Sequence, residues 1–196
     1  MRALAVASVA LTCGLASPAS AGPKVSVKIE TYRIQGKTGR LLMDAMDSRG
    51  PKHGFLTRAI AQTRYKVSWD IDWVEKDGRC SASRANAGLA LTYRYPEVEG
   101  PVSPELKSRW KRFFAGVRKH EEIHGKIATE MVIVAQKSVR AVQTTGDPQC
   151  SKAKREAKGR VATIYKEYEA RQNKFDAVEH RDGGKVEGLV AALTRR

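Results

Sequence analysis

Cysteine is scarce: the 196 residues hold three, and one of them, Cys13, lies near the N-terminus. That excludes a disulfide-dense scaffold. It also argues against a thiolate-ligated metal, because neither Cys80 nor Cys150 has a ligand-spaced neighbour. Beyond the N-terminus no apolar stretch is long enough to cross a bilayer. Acidic residues are fewer than basic ones, 21 against 36, giving a formal charge of +15. The basic residues are spread, with no dense run interleaved with aromatics. They suit an anionic cell-envelope surface and give no specific nucleic-acid footprint. Internal repeats and low-complexity tracts are absent as well.

The chain opens with Met1-Arg2, an apolar run from Ala3 to Ala16, and Ser17-Pro18-Ala19-Ser20-Ala21. A positive charge, a short hydrophobic centre and an Ala-x-Ala ending describe a secretory signal peptide, residues 1–21, cleaved after Ala21. Residues 22–196 then suit one domain, periplasmic or secreted. In such an oxidising compartment Cys80 and Cys150 are expected to pair. The bridge closes a loop of about 70 residues and stabilises by about 4 kcal/mol in the chain-entropy picture.

Lys24 to Gln35 reads as a strand. Val25, Val27 and Ile29 point one way, and Tyr32 and Ile34 continue after a slip, which suggests a bulge near Glu30-Thr31. Thr38 caps a short helix through Leu41, Leu42, Ala45 and Met46 that Gly50-Pro51 ends. From Tyr65 to Trp73 apolar and polar residues alternate strictly. Asp77-Gly78 supplies turn chemistry, and a second alternating run extends from Ala85 to Tyr95. Trp69, Trp73, Tyr93 and Tyr95 form an aromatic face expected to be core.

Ser103-Pro104-Glu105 is an N-cap, a first-turn proline and an acid at the positive end of a helix dipole. The helix that follows runs towards Val142, with a kink or break expected at Gly125. Leu106, Trp110, Phe113, Val117, His120, His124, Ile127, Met131 and Val134 fall on its inward stripe. A second helix, Lys152 to Gln172, returns antiparallel with Val161, Ile164, Tyr165 and Tyr168 inward. The fold class is therefore α+β, a small antiparallel or mixed sheet packed on a long helix and its antiparallel neighbour.

Within the stripe stands His120-Glu121-Glu122-Ile123-His124, an H-E-x-x-H pattern. Four residues is about one helical turn, so both imidazoles project from one face and reach one zinc ion. Glu121 sits at the margin of that face, where its carboxylate serves water instead of the ion. A catalytic zinc takes three protein ligands. His180 is the first candidate for the third, Asp176 the second, with Glu167 or Glu169 further alternatives. Whichever of His180 and Asp176 is not a ligand could orient one. Tyr165, Tyr168 and Arg171 are candidates to stabilise a developing oxyanion.

These residues resemble a known family. The series Tyr32-Arg33-Ile34-Gln35-Gly36, Gly50-Pro51, Thr63 to Trp69, Cys80, Trp110 to Val117, His120 to His124, Cys150 and Phe175-Asp176 is similar to the bacterial domain of unknown function 922 family. That family is described as predicted secreted zinc-dependent proteases. The resemblance implies a zincin-like fold and a metallopeptidase with Glu121 as general base, acting on peptides or proteins. The family's closing signature has a Thr and a His-Gly after its aromatic-Asp pair. Here no such Thr is evident, and Arg181-Asp182 separate His180 from Gly183. The rival expectation is a non-catalytic cell-envelope module in which zinc only staples the helices.

Overall fold

A computed structural model describes residues 22–53 and 57–195. The signal-peptide reading of residues 1–21 lies outside them. Strand β1 (Lys24–Ile34) leads into helix α1 (Gly39–Arg49), whose cap is the one expected: Leu41 N–H donates to Thr38 Oγ1 at 3.2 Å. Two short strands, β2 (Lys52–His53) and β3 (Thr57–Arg58), pair with each other. Strand β4 (Gln62–Lys76) and strand β5 (Arg79–Val98) form a long antiparallel hairpin. Its turn is Asp77-Gly78, both residues with positive φ (53° and 70°), which matches the right-handed twist of the flanking strands.

The main sheet is mixed. Its order is β1-β5-β4, with β1 parallel to β5, and the short β6 (Gln143–Thr145) pairs with the start of β5. Helix α2 (Pro104–Arg140) lies across one face, and α3 (Ser151–Glu179) runs antiparallel to it. Arg160 meets Ser138 near one end of that pair, and Gln172 meets His124 further along. Helix α4 (Lys185–Thr194) closes the chain. Among the described residues no helix is long and apolar enough to cross a membrane.

Leu89, Leu91, Tyr93 and Tyr95 of β5 are buried with Phe113, Val117, Ala128 and Met131 of α2, so the sheet and the long helix share one core. Trp69 and Trp73 are only partly buried: Trp69 packs at the margin of this core, and both pack against the smaller cluster at the disulfide. A smaller apolar cluster surrounds the Cys80–Cys150 disulfide, which ties the start of β5 to the start of α3. Asp147 completes that junction. It is 2% exposed, and its carboxylate accepts from the N–H groups of Lys152 and Ala153 and from Thr144 Oγ1, filling donors that open α3.

Several sequence expectations change. No bulge interrupts β1, which pairs with β5 in one register throughout; Val25, Val27 and Ile29 are exposed, and Tyr32 and Ile34 are buried from the opposite face. The break at Gly125 is replaced by a continuous helix. Gly125 is there because a Cβ would meet Tyr93 Oη at 1.9 Å. Val134 is exposed, and burial passes to Val132, Ala135 and Val139. A 3-4 spacing repeats every 3.5 residues, whereas a straight helix turns every 3.6. The stripe therefore drifts about 20° per heptad and has left the core by Val134.

Candidate metal centre

His120, Glu121 and His124 stand near the middle of α2, and the two histidines face the last two turns of α3. Glutamate and histidine suffer little in a helix interior, so nothing local opposes the placement. His120 and Glu121 are each 6% exposed. Opposite them, Gln172, Asp176 and Glu179 follow at spacings of four and three, one face of α3, and His180 caps the helix end.

The ring nitrogens converge. His120 Nε2 and His124 Nε2 are 3.2 Å apart, and Asp176 Oδ1 lies 3.2 Å from the first and 2.9 Å from the second. His180 joins this group: ligand atoms of His120, Asp176 and His180 all lie within 4.8 Å of one another. The tighter triangle is His120–His124–Asp176, so His120 and Asp176 are common to both groupings. Phe175 packs against both imidazoles, its ring 4.8 Å from that of His120 and 5.1 Å from that of His124.

The hydrogen positions follow from the bonds. Gln172 Nε2 donates to the backbone oxygen of His124 at 3.1 Å, which turns Gln172 Oε1 towards His124 Nδ1. Nδ1 must carry the hydrogen, and Nε2 of the neutral ring is then a lone pair. That lone pair faces a carboxylate oxygen and a second imidazole nitrogen. Such a group of acceptors calls for a cation at its centre, a proton or a metal ion. The ionisation tendencies agree. Burial works against charge on His124 and on Asp176, but their mutual contacts outweigh it. The His124 pKa is raised, with help from Gln172, and Asp176 is held well below the usual carboxylate range by the two imidazoles. Burial and the neighbouring His120 lower His180.

Glu121 points towards the sheet. Thr63 of β4 donates to its Oε2 at 2.6 Å. Burial raises the Glu121 pKa against the pull of Thr63 and the two imidazoles. Glu121 borders a cleft of about 800 Å³ that His120, His124, Asp176 and His180 also line, together with Gln62, Thr63 and Tyr65 of β4. Residues 29–184 match the family described as a bacterial protein of unknown function (DUF922). The chain belongs to this family. No curated protein and no solved structure matches it.

Within this member of the family, the oxyanion candidates stand elsewhere. Tyr165, Tyr168 and Arg171 do not line the cleft. Tyr165 Oη accepts from Trp69 Nε1 at 3.3 Å, and Arg171 is paired with Glu130 and lies over the Tyr168 ring. Glu169 does line the cleft, but it is exposed and apart from the converging nitrogens. Sequence reading missed Gln172 and named Thr63 and Phe175 only within the family resemblance, with no role at the site. Gln172 lies one turn before Asp176, a spacing that could have drawn attention to it. Thr63 carries no local signal, because its role depends on how the sheet packs against α2.

Proposed function

We propose that the protein is an extracytoplasmic zinc-dependent peptidase with a zincin-like arrangement of helix and sheet. The observation that carries this reading is the triangle of His120 Nε2, His124 Nε2 and Asp176 Oδ1, with sides of 2.9 to 3.2 Å. Donors at ~2.0–2.1 Å from a tetrahedral zinc lie about 3.3 Å apart. Two imidazoles and a carboxylate suit that ion, and His180 stands close enough to serve as a further donor or to orient one. Asp176 therefore precedes His180 as the proposed third ligand.

When bound, zinc supplies a Lewis acid that polarises a carbonyl and lowers the pKa of water towards about 7. With zinc held by His120, His124 and Asp176, the Glu121 carboxylate would be placed to accept a proton from the attacking water and to pass it to the leaving amine. A carboxylate whose pKa is raised by burial suits a group that must accept and then release a proton. Thr63 fixes its orientation. Gln172 holds His124 in the tautomer whose Nε2 is free. Phe175 keeps solvent from one side of the rings. The β4 edge pairs with no further strand among the described residues and borders the cleft, so an extended peptide would bind there as an added strand. The excess of basic residues suits work near anionic envelope polymers.

The donors come from two helices, which also favours a second reading: zinc as a staple between α2 and α3 without catalysis. Glu121→Gln separates the two. A peptidase loses turnover on an unstructured protein substrate by about 10²–10⁴-fold while keeping zinc and fold. A stapled module has no turnover to lose. Metal analysis tests the site beneath both: one zinc per chain, absent from His120→Ala, is expected, and zinc retained by that variant would sink it.

A further inference from the structure

His120 Nδ1 and Glu179 Oε2 are buried and have no hydrogen-bond partner, and they face each other at 3.7 Å. Leaving both a ring nitrogen and a carboxylate oxygen unpaired in the interior is unfavourable, and a buried orphan calls for an explanation. We propose that Glu179 is a positioning residue for the metal centre: its carboxylate accepts the Nδ1–H of His120 and thereby aims Nε2 at the ion. This deepens the zinc reading above and rests on it.

The argument is the symmetry of the two rings. His124 already has such a partner in Gln172 Oε1, while its Nε2 turns to Asp176. His120 also turns Nε2 to Asp176, and the side chain beyond its Nδ1 is Glu179. Gln172, Asp176 and Glu179 occupy positions i, i+4 and i+7 of α3. One helix face thus carries a clamp for each imidazole with the shared donor between them. The two clamps differ in charge. A carboxylate behind a histidine fixes the tautomer and makes the ring a stronger donor, which a carboxamide does to a lesser degree.

Glu179 has a second neighbour. Lys185 Nζ at the start of α4 lies 3.8 Å from the same Oε2, so the residue could merely pin that helix. The test separates the roles. Zinc affinity is measured by competition with a chromogenic chelator in wild type, Glu179→Ala, Glu179→Gln and Lys185→Gln, and the metal-free thermal midpoint is recorded for each.

Glu179→Ala is expected to weaken zinc binding about 10–100-fold. Glu179→Gln, nearly isosteric and still an acceptor, should show an intermediate loss and covers the case in which the alanine variant does not fold. Lys185→Gln should bind zinc as wild type does. If Lys185→Gln loses as much affinity as Glu179→Ala, or if both Glu179 variants bind as wild type does, the positioning role is wrong while the zinc site stands. Absence of zinc from the wild-type protein would overturn both.

Discussion

The hydroxyl of Thr63, on a strand, holds the carboxylate of Glu121, on a helix, at 2.6 Å. The contact spans the cleft wall and joins the sheet to the group proposed to move the proton. Thr63→Val keeps the shape and removes the donor. Turnover should fall about tenfold to a hundredfold, because a catalytic group left to wander loses its near-attack geometry. Zinc content should not change. Equal turnover in the variant would mean that Thr63 only fills space.

Asp176 and His180 are the two candidates for the third place at the proposed zinc site. Asp176→Asn should abolish stoichiometric zinc binding, since it removes the charge shared by both Nε2 atoms. His180→Ala should retain zinc with an affinity lowered about tenfold, the loss typical of a supporting group. Inductively coupled plasma analysis after dialysis reads the first, chelator competition the second. The reverse ranking would restore His180 as the principal ligand.

Asp147 makes stability depend on acidity. Burial opposes its charge, but the N–H groups of Lys152 and Ala153 and the Thr144 hydroxyl outweigh burial and lower its pKa. A lowered folded-state pKa stabilises the fold above the unfolded value of about 3.9, and the contribution fades as pH falls through the folded value. Asp147→Ala should melt below wild type at neutral pH, with the gap closing below about pH 4. A gap constant across that range would contradict the assignment.

The disulfide should be the largest single stabilising link. Replacing Cys80 and Cys150 together by serine is expected to cost about 4 kcal/mol. For a chain of this size that is a fall of on the order of 10 °C in thermal midpoint.

Two helical glycines should respond in opposite directions. Gly159 of α3 has open space around a would-be Cβ, so Gly159→Ala should stabilise by roughly 0.5–1 kcal/mol. At Gly125 the new methyl would strike the Tyr93 hydroxyl, and Gly125→Ala should destabilise by about 1–3 kcal/mol. Chemical denaturation of both variants checks the pair.

How much of this was legible in the sequence varies by residue. The caps at Thr38 and Ser103, the Asp77-Gly78 turn and the Cys80–Cys150 pairing follow from local chemistry, and the structure has all four. His120 and His124 share a helical face, as one turn of spacing requires. Local pattern stops informing where partners come from elsewhere in the chain. The expected helix over 152–172 continues to Glu179, which carries Asp176 and Glu179 on the same rod as Gln172. Periodicity misjudged Val134 because a heptad count accumulates error along a straight helix. It misread β1 because an edge strand can leave valines in water while its far end is covered on the other face. Thr63 and Glu121 are 58 residues apart, and only the packed sheet brings them together.

The bridge at Cys150 and the cap at Asp147 fix α3 at its first residues, whereas Asp176 and Glu179 stand at its last. The separation is about 26 residues, or about 40 Å of helix. Contacts of Arg160, Tyr165, Arg171 and Gln172 with α2 and β4 hold the rod between these ends; were they to yield, a tilt of about 5° at the anchored end would swing the proposed donors by about 3 Å, more than a zinc–nitrogen bond length. Slack near the disulfide would be felt as misaligned chemistry at the opposite end of the molecule long before it was felt as unfolding.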